Sequence, residues 1–197
     1  YIPRDINKAI YYFSLAANQN DSNAQNNLGL IYITGEYVPR DIKKAIYYLT
    51  LAANQNDSKA QYNLGDIYIN GEYVPRDINK AIYYLTLAAD QNYRDAQYNL
   101  GLFYLTAKYV PRNINKAIYY LSLAANQNEL KAQSDLGIIY LTGEHVPRDI
   151  NKAIYYFSLA ANQNDLKSQY NLGNIHLTGK YVPRDINKAI YYFSLAA

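Results

Sequence analysis

Apolar residues recur along this chain at helical spacing, and the pattern itself recurs. In residues 37–72, Ile42, Ala45, Leu49, Ala52 and Ala53 fall at i, i+3, i+7, i+10 and i+11. Ala60, Leu64, Ile67 and Tyr68 follow at i, i+4, i+7 and i+8. Each set lies on one face of a helix. No stretch alternates with a period of two, so no strand is predicted. Asp41 precedes the first helix and can accept its free backbone donors. Asn56 follows it, where a left-handed residue commonly ends a helix and Asn tolerates that conformation. Asp57 or Ser58 caps the second helix, and Gly71 ends it.

The same two-helix pattern returns every 36 residues. Tyr-(Ile/Val)-Pro-Arg starts at Tyr1, Tyr37, Tyr73, Tyr109 and Tyr181, and His145 starts one variant copy. Pro3, Pro39, Pro75, Pro111, Pro147 and Pro183 share one phase. The glycines hold two phases: Gly29, Gly65, Gly101, Gly137 and Gly173, and Gly35, Gly71, Gly143 and Gly179, with Ala107 in the gap. A hairpin this short cannot bury its apolar stripe alone, whereas stacked copies make one continuous core. The Ala9, Ala16, Ala17 and Gly29 series allow close helix approach, and the Tyr12, Phe13, Leu28 and Tyr32 series fill between. The predicted fold is all-α, a right-handed α/α superhelix (solenoid) of 36-residue helical hairpins. About 11 helices are expected, the first near 5–18 and the last near 185–197. The chain reads as a single array over 1–197, with units starting at 1, 37, 73, 109, 145 and 181, the last partial. Met is absent even at position 1, and neither end resembles a polar capping repeat. A longer parent protein is therefore expected, with further repeats beyond at least one end.

Composition narrows the function classes. Half of the 197 residues are hydrophobic and 18% are charged, a balance that folds. Cysteine is absent, which removes disulfides, thiolate metal sites and a cysteine nucleophile. A net charge of +3 is too weak an excess to point to nucleic acid or an anionic membrane. No apolar run is long enough to insert in a membrane, and no signal-like segment opens the chain. These features favour a cytoplasmic location.

The unit resembles the Sel1-like repeat, a relative of the tetratricopeptide repeat. The resemblance rests on Ala60, Leu64-Gly65, Tyr68, Gly71, Val74, Asp77, Lys80-Ala81, Tyr84 and Ala88-Ala89, and it extends over the whole chain. Two departures recur. Tyr37, Tyr73, Tyr109, His145 and Tyr181 stand where the family often has Gly before the Val. Asn20, Asn56, Asn92, Asn128 and Asn164 stand where Gly usually ends the Lys-Ala helix. The resemblance implies an adaptor or scaffold that binds a protein or peptide. Secreted relatives with a disulfide in each repeat are linked to penicillin binding. The absence of cysteine makes a cell-wall-related enzyme a remote alternative. A structural or self-associating repeat element is the nearer one.

No catalytic constellation is evident, and no cofactor or metal is implied. There is no nucleotide loop, HExxH or GxSxG. Asp5, Asp41, Asp77, Asp149 and Asp185 share a phase with Asn113, which suits helix capping better than acid–base chemistry. His145 replaces a loop Tyr. His176 replaces the core-phase Tyr32, Tyr68, Tyr104 and Tyr140 and is expected to be a partly buried structural residue. Identical repeats produce ladders, whereas an active site needs differentiated residues in a pocket.

Comparison of the repeats with one another locates two candidate surfaces. The Lys-Ala helix hardly changes. The Leu-Gly helix varies at three phases: Asn23, Lys59, Asp95, Lys131 and Lys167; Asn26, Tyr62, Tyr98, Ser134 and Tyr170; and Leu30, Asp66, Leu102, Ile138 and Asn174. These share one face at i, i+3 and i+7, expected to point away from the Ala24, Leu28 and Tyr32 stripe. The family resemblance places that face in a concave, partner-binding groove. The second surface is the row Tyr11, Tyr47, Tyr83, Tyr119, Tyr155 and Tyr191. Leu15, Leu51, Leu87, Leu123, Leu159 and Leu195 follow four residues later. If exposed, these form an apolar strip of the kind that marks an interface. Homo-oligomerisation through this strip or through the array ends is an expectation of the same reading.

Overall fold

A computed structural model describes residues 5–197; the first Tyr-Ile-Pro-Arg copy, residues 1–4, lies outside them. Among the described residues there are eleven helices and no strand. The Lys-Ala helices are α1 (Ile6–Asn18), α3 (Ile42–Asn54), α5 (Ile78–Asp90), α7 (Ile114–Asn126), α9 (Ile150–Ala161) and α11 (Ile186–Leu195). The Leu-Gly helices are α2 (Ser22–Thr34), α4 (Ser58–Asn70), α6 (Arg94–Thr106), α8 (Leu130–Thr142) and α10 (Leu166–Thr178). The fold is an all-α solenoid of helical hairpins. Its packing divides at Gln97/Tyr98, inside α6, into two units. In the first, α1 packs on α2, α2 on α3, α3 on α4 and α4 on α5. In the second, α7 packs on α8, α8 on α9, α9 on α10 and α10 on α11.

Capping residues set the ends of most described helices, although Glu129 before α8 makes no side-chain capping bond. Asp41 accepts the Lys44 N–H at 3.0 Å, and Asp57 accepts the Ala60 N–H at 2.8 Å. Asn113 accepts the Lys116 N–H at 3.0 Å without a charge, so the phase serves the cap. After α3, Asn56 takes φ 62°; its N–H reaches Ala53 O and the Asp57 N–H reaches Ala52 O, a Schellman closure. After α4, Gly71 turns at φ 67°. The Tyr-Val-Pro-Arg loop then returns, and Arg76 Nε donates to Ile69 O at 2.7 Å. The loop arginine thus satisfies a carbonyl of the last turn, where a cation is favoured.

The predicted stripes are the core. Ala45, Leu49, Ala52, Ala60 and Leu64 are fully buried. Gly65 permits the contact between α4 and α5: a Cβ there would lie 2.7 Å from Leu85 Cγ. Between hairpins, aromatic rings pair face to face. Tyr32 stacks on Tyr48 with centroids 6.0 Å apart, and Tyr68 on Tyr84 at 6.1 Å. His176 keeps this place in the second unit, stacked on Tyr192 at 6.0 Å. Burial and the Lys188 charge lower its pKa, as expected for a structural histidine.

Candidate protein-binding surfaces

The variable phases of the Leu-Gly helices occupy three different environments. Asn23, Lys59, Lys131 and Lys167 are exposed and Asp95 is half-buried. In the third phase Leu30 and Ile138 are exposed, while Asp66, Leu102 and Asn174 are half-buried.

The middle phase departs from the expectation that the whole face points away from the core. Asn26 and Ser134 are buried, Tyr62 and Tyr98 half-buried, and Tyr170 exposed. The reason is contact with the following repeat. Asn63 Nδ2 donates to Asn26 Oδ1 at 3.0 Å, and Tyr62 packs on Tyr93 with centroids 5.2 Å apart. The Tyr98 hydroxyl donates to Asp135 Oδ2 at 3.4 Å, and the Ser134 hydroxyl to Asp165 Oδ2 at 3.2 Å.

Two clefts open beside the third phase, one in each unit. The first, about 230 Å³, lies between α2 and α4. Leu30, Ile33, Leu49 and Ile67 supply its apolar wall, with Asn63, Asp66, Asn70, Glu72 and Tyr73 around them. The second, about 160 Å³, lies between α6 and α8, lined by Leu105, Asp135, Ile138, Ile139, Thr142, Glu144 and His145. Burial raises the pKa of both Asp66 and Asp135. Asn70 Nδ2 donates to Asp66 at 2.9 Å and opposes that shift. For Asp135 the Tyr98 hydroxyl opposes it most, then Lys167 and Lys131. Arg40 sits 5.0 Å above the Tyr73 ring; in the second unit Arg112 Nη1 lies 3.1 Å from His145 Nε2. His145 is therefore a half-buried partner for the loop arginine where the other repeats have Tyr.

Several of these cleft residues were not candidates from sequence. Asn63, Glu72, Asp135 and Glu144 lie at phases that also differ between repeats. One phase reads Asn27, Asn63, Asn99, Asp135 and Asn171, the other Glu36, Glu72, Lys108, Glu144 and Lys180. The same repeat comparison, extended to every phase, would have found them.

The tyrosine row is exposed in each unit. Tyr11, Tyr47 and Tyr83 expose 58–59% of their surface, and Tyr119, Tyr155 and Tyr191 56–58%. Each packs edge-on against the next tyrosine in sequence, as Tyr47 does on Tyr48 at 5.3 Å. Leu15 and Leu195 are exposed, and Leu51, Leu87, Leu123 and Leu159 are half-buried.

Among the described residues no group of three or more His, Cys, Asp or Glu could hold a metal ion. No helix among them is long and apolar enough to cross a membrane.

Known proteins place this architecture. The chain is similar to a protective antigen present in uropathogenic Escherichia coli strains, with 28% identity and a TM-score of 0.92 over 99% of its length. It spans only 42% of that antigen. It is also similar to a Sel1 repeat protein from Oxalobacter formigenes, at 31% identity and TM-score 0.80, covering 98% of this chain and 79% of that one. Cysteine-rich protein B of Helicobacter pylori aligns at 27% identity and TM-score 0.52, over 67% of this chain and 95% of its own. No curated protein matches the chain. The Sel1 repeat model matches residues 1–21, 22–57, 58–93, 94–129, 130–165 and 166–197, so this array of capped hairpins is a member of the Sel1 repeat family.

Proposed function

We propose that this chain is a protein-binding scaffold whose partner lies along the variable phases of the Leu-Gly helices and seats side chains in the clefts beside them. The observation that supports this reading is a coincidence of position. The third variable phase supplies Leu30 and Asp66 to one cleft and Ile138 to the other, and both clefts combine an apolar wall with carboxylates at the edge. That mixture suits peptide side chains: apolar contact gives affinity, and a few placed polar groups give register. Among the described residues no set for catalysis accompanies it, and the aspartates that precede the Lys-Ala helices are occupied as caps.

Selection of a displayed random dodecapeptide library on the immobilised chain tests this. Leu30→Glu with Ile138→Glu changes two exposed residues and should leave the helical circular dichroism intact. It should abolish binding of the enriched peptides. Peptides that bind both forms equally would place the partner elsewhere.

The exposed tyrosines support a second reading, in which their row contacts another copy of the chain or a second protein. Six tyrosines at one helical phase, each more than half exposed, present more apolar surface than a solvated helix face requires.

A further inference from the structure

The α2–α4 cleft holds a carboxylate at a phase that is apolar in three other repeats. Its phase carries Leu30, Leu102 and Ile138 in other repeats and Asn174 in the last, but Asp66 here. Asp66 is half-buried beside Ile67, and burial disfavours its charged form. Its one opposing contact is a neutral amide, from Asn70. The resident cation does not reach it as a partner: Arg40 lies over the Tyr73 ring and donates to Thr34 O at 3.4 Å. Glu72 adds a second carboxylate at the exposed rim, close enough to Tyr73 to raise the pKa of its hydroxyl. The cleft therefore has an apolar interior, an acid held at a desolvation cost, and a second acid at its mouth.

We infer that this cleft receives a lysine or arginine side chain of the bound partner, its stem against Leu30 and Ile33 and its cationic head between Asp66 and Glu72. The inference rests on the scaffold reading above and names the chemistry of what is bound. A long cationic side chain has the required shape, because its methylenes bury while its head stays polar. Charge-assisted hydrogen bonds then offset the cost of burying Asp66. The volume, about 230 Å³, is below the ~300 Å³ at which ligand-sized pockets begin, so one side chain fits better than a cofactor. Long-range attraction does not account for such a preference, since the chain is itself cationic at +3. In the second unit, Asp135 already has the Tyr98 hydroxyl, Lys131 and Lys167 around it, so its cleft does not ask for a partner's cation in the same way.

The test uses the full chain and the peptides enriched from the random dodecapeptide library, measured by fluorescence anisotropy. The enriched peptides should share a Lys or Arg, and replacing it with Ala should weaken binding about tenfold or more. Asp66→Asn should cost the same, and the two changes together should cost no more than either alone. Asp90→Asn, an exposed position outside both clefts where four other repeats carry Asn, should leave binding within about twofold. Peptides that need Leu30 but lack a basic residue, or that bind Asp66→Asn as tightly as the parent chain, overturn this inference and leave the scaffold reading standing. Peptides indifferent to Leu30→Glu and Ile138→Glu overturn both.

Discussion

Gln55 Nε2 donates to Gln25 Oε1 at 2.7 Å across 30 residues of sequence, joining one hairpin to the next. Gln25 is buried, and its own Nε2 donates to Ala17 O at 3.2 Å. The arrangement recurs as Gln91 to Gln61 to Ala53 O, and in the second unit as Gln163 to Gln133 to Ala125 O. One buried amide thus closes a helix-end carbonyl and welds the neighbouring repeat. Replacing Gln61 with Leu removes its bonds to Gln91 and to the Ala53 carbonyl, which keeps the Asn56 N–H, and at about 0.5–1.5 kcal/mol each should destabilise by about 1–3 kcal/mol in urea denaturation. Gln169 Oε1 is buried and accepts no hydrogen bond. Gln169→Leu, which loses one bond fewer, should cost less. Equal costs would mean that the glutamine–glutamine bond contributes nothing.

Ala107 takes φ 55° where Gly35, Gly71, Gly143 and Gly179 take 61–67°. The left-handed conformation that ends the Leu-Gly helix is thus kept even where the residue has a Cβ. An L-residue held there costs about 1–2 kcal/mol; glycine removes that cost but gives back about 0.4–1 kcal/mol through the larger entropy of its unfolded chain. Ala107→Gly should therefore raise stability by roughly 0.5–1 kcal/mol. A lowered or unchanged melting midpoint would show that the strain is absorbed locally.

Most of the fold could be read from the sequence because every structural decision is made several times. The Asn56 phase recurs in five repeats, and all five take positive φ. Asp and Asn share the cap phase, and both cap. The candidate site was less legible. Repeat comparison shows that Asn26 and Ser134 vary, but not that they lean on the following helix, since the angle between stacked helices sets that contact. The α2–α4 cleft draws Leu49 from a Lys-Ala helix and Tyr73 from a loop, neighbours that helical periodicity along one element does not reveal.

Asp135 stands where four other repeats have Asn, and it is half-buried. Burial raises its pKa above 3.8, against the Tyr98 hydroxyl, Lys167 and Lys131, and with Asp165 adding to the rise. A raised carboxyl holds more protons folded than unfolded in the window above 3.8. Its contribution is thus most favourable below that window and is lost as pH rises through the folded value. Asp135→Asn keeps an acceptor for Tyr98 and removes the titration. The stability of the variant relative to the parent should therefore increase from about pH 3 to pH 7. A difference that stays flat over that range would mean that Asp135 is solvated in the folded chain.

The two candidate surfaces make opposite demands on their tyrosines. Tyr47, Tyr83 and Tyr119 are 58–59% exposed, so changing all three to Glu should leave the helical circular dichroism and the melting midpoint close to those of the parent chain. Tyr62 and Tyr98 are half-buried; one packs on Tyr93 and the other hydrogen-bonds Asp135. Changing either to Ser removes a ring from an inter-repeat contact and should cost about 1–3 kcal/mol. Size exclusion with light scattering then separates the readings. If the row joins two copies, the Glu variant runs as a monomer at concentrations where the parent is a dimer, because six carboxylates would face one another across the two-fold contact. The Tyr62→Ser and Tyr98→Ser chains would keep the parent's mass while melting earlier. A Glu variant with the parent's dimeric mass would remove the row from the contact, and unfolding of that variant would place those three tyrosines in the core.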